Sequence, residues 1–163
     1  MYQDIVLEKM IAFDCGDARR IQHFIKVYAF AAYIGRKEGL DTRTQRILEL
    51  AAIVHDIGIH AAEEKYHSTA GKYQEQEGPA LATKLLADCG VPADVTGRVA
   101  FLVGHHHTYM DVVGLDWRIL LEADFLVNAY EDQLSESALR AAREKIFETD
   151  TGRHILDTMF GLA

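Results

Sequence analysis

The stretch Leu48-Glu-Leu-Ala-Ala-Ile-Val-His-Asp-Ile-Gly58 places a histidine and an aspartate, His55 and Asp56, at the end of an almost entirely apolar run. Such a run is typical of the buried side of a helix. A buried, ionised carboxylate is costly unless a cation or several hydrogen-bond donors compensate its charge. A divalent metal ion does this well, because neutral imidazole and carboxylate are both good ligands for first-row metals.

Two further polar residues interrupt apolar helical stripes elsewhere in the chain. His23 lies within 21–34 and shares its predicted helix face with apolar side chains, so we expect it to point inward. Asp124 lies within 120–127, with leucines one turn before it and a valine three residues after it. A hydrogen-bonded core position explains either residue alone. Together with the adjacent His-Asp pair, they are better explained as ligands of one metal ion.

The predicted metal ligands are therefore His23, His55, Asp56 and Asp124. Four protein ligands leave positions of an octahedral ion open for water and substrate, as a catalytic site requires. Such an ion lowers the pKa of water and takes charge from a phosphoryl oxygen, which are the two needs of phosphate ester hydrolysis. The ligands do not select among Mn, Fe, Ni, Co, Zn and Mg, because these metals compete for mixed nitrogen and oxygen sites largely by availability.

The order His, His-Asp, Asp resembles the HD-domain metal-dependent phosphohydrolase superfamily. The matching residues are His23, the stretch His55-Asp56-Ile57-Gly58, and Asp124 within Glu122-Ala-Asp-Phe125, and the resemblance extends over about 17–130. It implies a single HD-type helical bundle with a metal site in the core between helices. It also implies metal-dependent cleavage of a phosphate ester.

The stretch Gly104-His-His-His107 resembles the paired histidines that many members carry between the HD pair and the last Asp. Consecutive residues on a helix point about 100° apart, so at most two of the three can face one site. The resemblance favours His105 and His106 as ligands of a second metal, with the third turned outward. Members with two metals often have a histidine where this chain has Gln74, and Glu77 is an alternative oxygen ligand. The other interpretation is a single ion, with one histidine bonded to substrate or to a core carbonyl.

Two arginines precede His23 on the same predicted helix. Arg20 lies three residues before it and shares its face, while Arg19 is the weaker candidate. A planar guanidinium suits bidentate contact with phosphate, so Arg20 is a predicted phosphate ligand. The alternative is a surface arginine that pairs with Asp14 or Asp17.

The resemblance is incomplete directly after the His-Asp-Ile-Gly stretch. Many members have a lysine that contacts phosphate where this chain has Ile59, and the next basic side chain with a similar role is Lys65. Asn128, one turn beyond Asp124, is predicted to orient that carboxylate, and Glu122 to pair with a nearby cation. The predicted catalytic residues are Asp56, Arg20 and Lys65, and the predicted substrate-binding residues are Arg19, Arg20, Lys65 and His106.

Length, net charge and cysteine content indicate the number of domains, the kinds of partner and the cellular compartment to expect. The 163 residues are expected to form one domain, with a core at about 17–130 and a helical extension at about 135–162. The net charge of −8 argues against nucleic-acid polymers and membranes as partners, but not against a small phosphorylated substrate. Cys15 and Cys89 are interpreted as reduced thiols. We expect a cytoplasmic protein, because no leader or membrane-spanning pattern is present.

The periodicity predicts an all-α fold without a strand pattern. The polar segment 60–73 is predicted to be irregular, either a lid or substrate loop or an ordinary connection. The amphipathic helix at 135–147 could form a homodimer or pack onto its own core. Helices are predicted at about 4–13, 17–39, 41–58, 79–89, from 92 to 104, from 116 through Asp124, and at 135–148 and 152–162.

The leading functional hypothesis is a metal-dependent phosphomonoesterase or phosphodiesterase acting on a small phosphorylated metabolite, with nucleotides among the candidate substrates. Some members of the superfamily that this chain resembles are di-iron oxygenases, and Gln74 in place of a histidine argues against that function. The third hypothesis is a non-catalytic helical binding or signalling module stabilised by the metal. Such a module would be expected to lose ligands, and all four are present.

Overall fold

The computed structural model describes residues 1–162, and within them the chain forms nine α-helices and no strand. The prediction of an all-α fold is confirmed. The helices are α1 (Tyr2–Phe13), α2 (Ala18–Lys37), α3 (Thr42–Val54), α4 (Ile59–Tyr66), α5 (Gly71–Asp88), α6 (Ala93–Val103), α7 (Leu115–Glu131), α8 (Glu136–Lys145) and α9 (Asp150–Phe160).

Helix α3 is the centre of the bundle and packs against α1, α2, α6 and α7. All eight residues from Ile47 to Val54 are buried, so α3 has core contacts around its whole circumference in this part. Helix α7 is buried in the same way from Asp116 to Asp124. Because α2 packs against both α3 and α7, the three helices associated with the predicted metal ligands meet at one place in the core.

Helix α3 ends earlier than predicted, at Val54, and the next four residues form a turn that leads into α4. The Ile57 backbone N–H donates to the Val54 carbonyl at 3.0 Å, which is the short spacing of a turn. A Cβ atom at Gly58 would lie 2.7 Å from the backbone nitrogen of Gly78, so the turn and α5 are in backbone contact. The His-Asp pair therefore lies on this turn, fixed from behind by α5.

The segment 60–73 is not irregular, which corrects the sequence prediction. Residues Ile59–Tyr66 form α4, α5 begins at Gly71, and only 67–70 connect the two helices. Helix α4 shows no periodicity because only Ile59 and Ala62 of its eight residues are buried. Consequently the interpretation of this segment as a loop or lid does not describe it.

Two predicted helix starts are also wrong. Pro79 lies inside α5 rather than in its first turn, and its ring packs against Gly104, whose Cβ position would be 3.1 Å from Cγ of the proline. Helix α7 is preceded by Gly114 rather than capped by Asp116. Asp116 instead forms a bidentate ion pair with Arg98, with both distances at 2.8 Å.

The C-terminal helices are attached to α7 by a buried carboxylate. Glu122 accepts hydrogen bonds from the backbone N–H groups of Glu148 at 2.7 Å and Thr149 at 3.0 Å, and from the Thr149 hydroxyl. The hydroxyl of Thr149 in turn accepts from the Gly152 N–H and caps α9. Glu122 thus holds protein N–H and O–H donors rather than the predicted cation.

The apolar face of α8 packs onto the core of its own chain, since Leu139 and Ala142 are both buried. This contact accounts for the amphipathic pattern, and the homodimer stays a prediction.

Both cysteines are free, with Cys15 exposed and Cys89 buried. Within residues 1–162, every helix is too short or too polar to cross a membrane.

Candidate metal centre

The four predicted ligands converge in the core between α2, α7 and the turn after α3. Nε2 of His23 lies 3.2 Å from Nε2 of His55 and 3.1 Å from Oδ1 of Asp124. Oδ2 of Asp56 is 3.4 Å from both imidazole Nε2 atoms, and Oδ1 of Asp124 is 3.4 Å from Nε2 of His55. Two nitrogens and two oxygens from distant parts of the chain therefore surround one point.

Partners behind the histidines fix which nitrogen faces that point. Nδ1 of His55 donates to the carbonyl of Ala52 at 2.8 Å, and Nδ1 of His23 lies 3.2 Å from both carboxylate oxygens of Glu131. Each imidazole thus has its N–H outside and its Nε2 lone pair inside in the neutral form. With both rings neutral, the interior contains two nitrogen and two oxygen lone pairs, and each oxygen lies 3.1–3.4 Å from both nitrogens. A divalent cation satisfies these lone pairs, whereas hydrogen bonds between them require a protonated imidazole.

The charges of the cluster lead to the same conclusion. Burial disfavours ionised Asp124, yet contacts with His23 and His55 hold its pKa well below the ordinary value. Burial by itself would lower the pKa of His55, but the carboxylates of Asp56 and Asp124 outweigh it and raise that pKa to about 9. The two buried carboxylates therefore require positive charge between them, and the donor set fits a divalent metal ion.

A second group of ligand-type side chains includes the other oxygen of Asp56. Oδ1 of Asp56 lies 3.3 Å from Nε2 of His106, whose Nδ1 donates to the Val103 carbonyl at 2.7 Å. His107 completes a set of three residues whose ligand atoms are close enough to share an ion. Burial, and then the neighbouring His106, lower the pKa of His107 to about 4, so its ring is neutral. Asp56 thus contacts the first group through Oδ2 and the second group through Oδ1.

Gln74 faces this second group from α5. Its Nε2 donates to the Thr69 carbonyl at 2.7 Å, which turns the amide oxygen toward the histidines. Oε1 lies 2.9 Å from Nε2 of His107 and 3.3 Å from Nε2 of His106. Gln74, which stands where two-metal members often have a histidine, therefore presents an amide oxygen to the second group.

The structure pairs His106 with His107, and not with His105 as the resemblance favoured. Nδ1 of His105 lies 2.7 Å from the Phe101 carbonyl, and its ring stacks on Phe101 at 4.1 Å. The prediction assumed a helix through all three histidines, but α6 ends at Val103 and the histidines lie in a turn. Gly104, a residue type common at helix ends, was the sequence signal for this turn.

Lys65 and Glu77 lie outside the site. The Lys65 ammonium pairs with Oε1 of Glu77 at 2.9 Å, and the same oxygen accepts from the Tyr66 hydroxyl at 2.8 Å. The Lys65 side chain is 60% exposed and turned to solvent on α4. Neither residue lines the cleft at the cluster, so the structure supports neither the catalytic lysine nor the second-metal glutamate.

A cleft of about 460 Å³ opens onto the first group, and His23, Asp56 and Asp124 form part of its lining. Arg20 lies in its wall, where Nη2 pairs with Oε1 of Glu63 at 2.7 Å and Nε lies 3.3 Å from Asp17. Arg20 therefore has acidic partners, as the alternative interpretation expected, and also faces the cleft, while its role as a phosphate ligand stays a prediction. Arg19 lines the cleft as well, but its side chain is 78% exposed.

Two residues behind the ligands complete the arrangement. Asn128 donates from Nδ2 to Oδ1 of Asp124 at 3.0 Å, which is the predicted contact. Glu131, which the sequence analysis missed, holds His23 and pairs with Lys26 at 2.9 Å. Its sequence signal was the spacing of seven residues from Asp124, which places both carboxylates on one face of α7.

Comparison with known proteins gives a family match and a structural match. Residues 20–146 match the HD domain family. A predicted HD superfamily hydrolase from an uncultured Thermotogales bacterium is similar in crystal structure, with a TM-score of 0.67 and 24% identity over 99% of this chain and 84% of that chain. No curated protein matches the sequence. At this identity the structural similarity shows the fold, while the family match covers most of the chain. The chain belongs to the HD domain family.

Proposed function

We propose that the protein is a divalent-metal-dependent phosphohydrolase that cleaves a phosphate ester of a small metabolite. The observation that supports this most strongly is the convergence of His23, His55, Asp56 and Asp124, with ligand atoms 3.1–3.4 Å apart at the base of a cleft. These four residues would hold the metal. When bound, the metal supplies a Lewis acid and an activated water, which phosphate ester hydrolysis requires.

Residues of the chain supply binding and orientation. Arg20 is the cationic side chain of the cleft wall with the lower exposure, at 21%, and its guanidinium can exchange Glu63 for a phosphoryl group. Glu131 contacts the outward Nδ1 of His23, and Asn128 donates to Oδ1 of Asp124, the oxygen that also faces the two imidazoles, so both residues help to orient the ligands. The similar Thermotogales protein is named a hydrolase, which agrees with this function.

The di-iron oxygenase is the second candidate, because Asp56 contacts both ligand groups and could bridge two metals. Gln74 offers the second position an amide oxygen, a weaker ligand than imidazole for iron. The non-catalytic module is less well supported, because a structural metal does not need a cleft that reaches its ligands.

The test is phosphate release by the purified protein loaded separately with Mn, Co, Ni, Mg, Zn or ferrous iron. p-Nitrophenyl phosphate and bis-p-nitrophenyl phosphate distinguish a monoesterase from a diesterase. We expect activity with at least one metal and its loss in Asp56→Asn, while Asp88→Asn, an exposed aspartate on α5, keeps it. Absence of metal-dependent release, or activity that survives Asp56→Asn, refutes the proposal. Oxygen consumption by the iron-loaded protein would favour the oxygenase.

A further inference from the structure

The walls of the cleft carry few apolar groups. Within residues 1–162, no Phe, Tyr or Trp lines it, and Ile59 is its one aliphatic side chain. Of the two imidazoles in the wall, His23 is only 7% exposed, and the half-buried ring of His107 packs against Gly71 and His106. Tyr109, whose pKa burial raises to about 12 with a contribution from Asp124, lies outside the lining. A nucleobase therefore finds no aromatic surface on which to stack.

The charges of the lining are mainly negative. Five carboxylates face the cleft against two guanidinium groups. Arg20 and Arg19 already have acidic neighbours in Glu63 and Asp132. A divalent cation at the ligands already offsets the charges of Asp56 and Asp124, so Arg20 and Arg19 are the cations of the lining that remain for the substrate. Each negative charge that a nucleoside diphosphate or triphosphate adds to that of a phosphate monoester is therefore less well compensated.

The polar groups of the wall are mostly hydrogen-bond acceptors. Asn128 uses one of its two amide N–H groups on Asp124, which leaves its oxygen and its second N–H free. Asp132 is 57% exposed and has Arg19 only at 3.8 Å. Glu63 is 42% exposed, with one oxygen on Arg20 and the other 3.6 Å from Nδ1 of His60. Carboxylate and amide oxygens bind groups that donate hydrogen bonds, such as hydroxyl and ammonium.

We infer that the substrate is the monophosphate of a small alcohol rich in hydrogen-bond donors, such as a sugar or an amino alcohol, and not a nucleotide. This inference rests on the proposed function and names the substrate class of the same site. The phosphate contacts the metal and Arg20, and the hydroxyl or ammonium groups contact the acceptors on α4 and α7.

The experiment compares kcat/KM of the metal-loaded protein for ribose 5-phosphate, glucose 6-phosphate, glycerol 3-phosphate and phosphoethanolamine with that for AMP, ADP and ATP. Ribose 5-phosphate and AMP form a matched pair, because they share the phosphoribosyl group and differ in the adenine. We expect at least one donor-rich monophosphate to exceed every nucleotide by about tenfold or more. Comparison of kcat/KM between the sugar phosphates and phosphoethanolamine shows whether the site prefers hydroxyl or ammonium donors. A nucleotide that equals or exceeds all of them overturns the inference.

A binding measurement separates this inference from the proposed function. If no ester is hydrolysed, including p-nitrophenyl phosphate, the proposed function fails. Calorimetric titration of the metal-loaded protein with ribose 5-phosphate and with AMP still decides the inference, which requires the sugar phosphate to bind more tightly. A second variant, Asp132→Asn, removes an exposed carboxylate without affecting the core, and we expect it to raise the ADP to AMP ratio of kcat/KM about threefold. A ratio equal to that of Asp88→Asn contradicts the role given to the carboxylates.

Discussion

Replacing Asp124 by asparagine tests the metal site through stability rather than activity. The substitution keeps the shape of the side chain and its contact with Asn128, but it removes the charge that lies 3.1 Å from His23 and 3.4 Å from His55. In the wild type, a metal that binds only the folded state stabilises it by about 2.7 kcal/mol when its free concentration is 100 times Kd. For a chain of this size, that corresponds to a rise in Tm of about 5–10 °C.

The expected loss follows from the same relation. Removing a charged ligand weakens metal binding by about 100-fold or more, since even partners behind the ligands change affinity by about 10–100-fold. At the metal concentration used for the wild type, the stabilisation in Asp124→Asn then falls to about 0.4 kcal/mol, and the rise in Tm to about 2 °C or less.

The assay is thermal unfolding of the chelated protein with and without added Mn, Co, Ni or Zn, combined with elemental analysis after desalting. Asp88→Asn is the matched control, because it removes an exposed aspartate and should keep the full shift in Tm. A wild-type protein that shows no shift with any metal would refute the reasoning. The same holds for an Asp124→Asn protein that keeps both the wild-type shift and the wild-type metal content.

Four further outcomes test other parts of the structure. Glu131→Gln removes the negative charge beside Nδ1 of His23, so we expect the Kd for the metal, measured by titration, to rise about tenfold. An unchanged Kd would contradict the role given to the contact between Glu131 and His23. Gly58→Ala places a methyl group against the backbone of α5 and should lower the free energy of unfolding by about 2 kcal/mol. Gly97→Ala, which has open space around it, is the control and should be neutral or stabilising. Equal changes of the two variants in denaturant unfolding would disprove the close approach of Gly58 to α5. Glu122→Ala leaves three hydrogen-bond donors without their acceptor and should lower the free energy of unfolding by about 3 kcal/mol. A loss of less than about 1 kcal/mol would contradict this role of Glu122. Lys65→Ala should change kcat/KM less than about twofold, because its ammonium pairs with a glutamate outside the cleft; a tenfold loss would restore the catalytic lysine.

The all-α class could be predicted because helical periodicity depends on local spacing. His23 and Asp124 each interrupt an apolar stripe, and the stripe fixes the direction of the side chain whatever the neighbouring helices are. Both are buried as expected, with exposures of 7% and 2%. The same reasoning found Asn128, one turn from Asp124, because residues four apart share a helix face.

The remaining features depend on contacts between distant segments, which spacing does not encode. His107 replaces His105 in the second group because α6 stops at Val103 and the next residues turn beneath α5. Pro79 lies inside α5 rather than at its start, and its ring packs at Gly104 of a distant segment. Helix α4 carries too few buried residues for a periodic signal, although it positions Glu63 on Arg20. In each case a tertiary contact overrides the local pattern.

The turn after α3 explains how one aspartate reaches two groups of ligands. On a continuing helix, Asp56 would direct its carboxylate along one fixed face, whereas in the turn Oδ2 lies 3.4 Å from His55 and Oδ1 lies 3.3 Å from His106. The turn is possible here because Gly58 lets the backbone approach Gly78 of α5, where any side chain would collide with the main chain. The same α5 carries Gln74 to the histidines. One backbone contact between two glycines therefore sets the position of Asp56 relative to both groups, which links the small residues of the HD stretch to the geometry of its ligands.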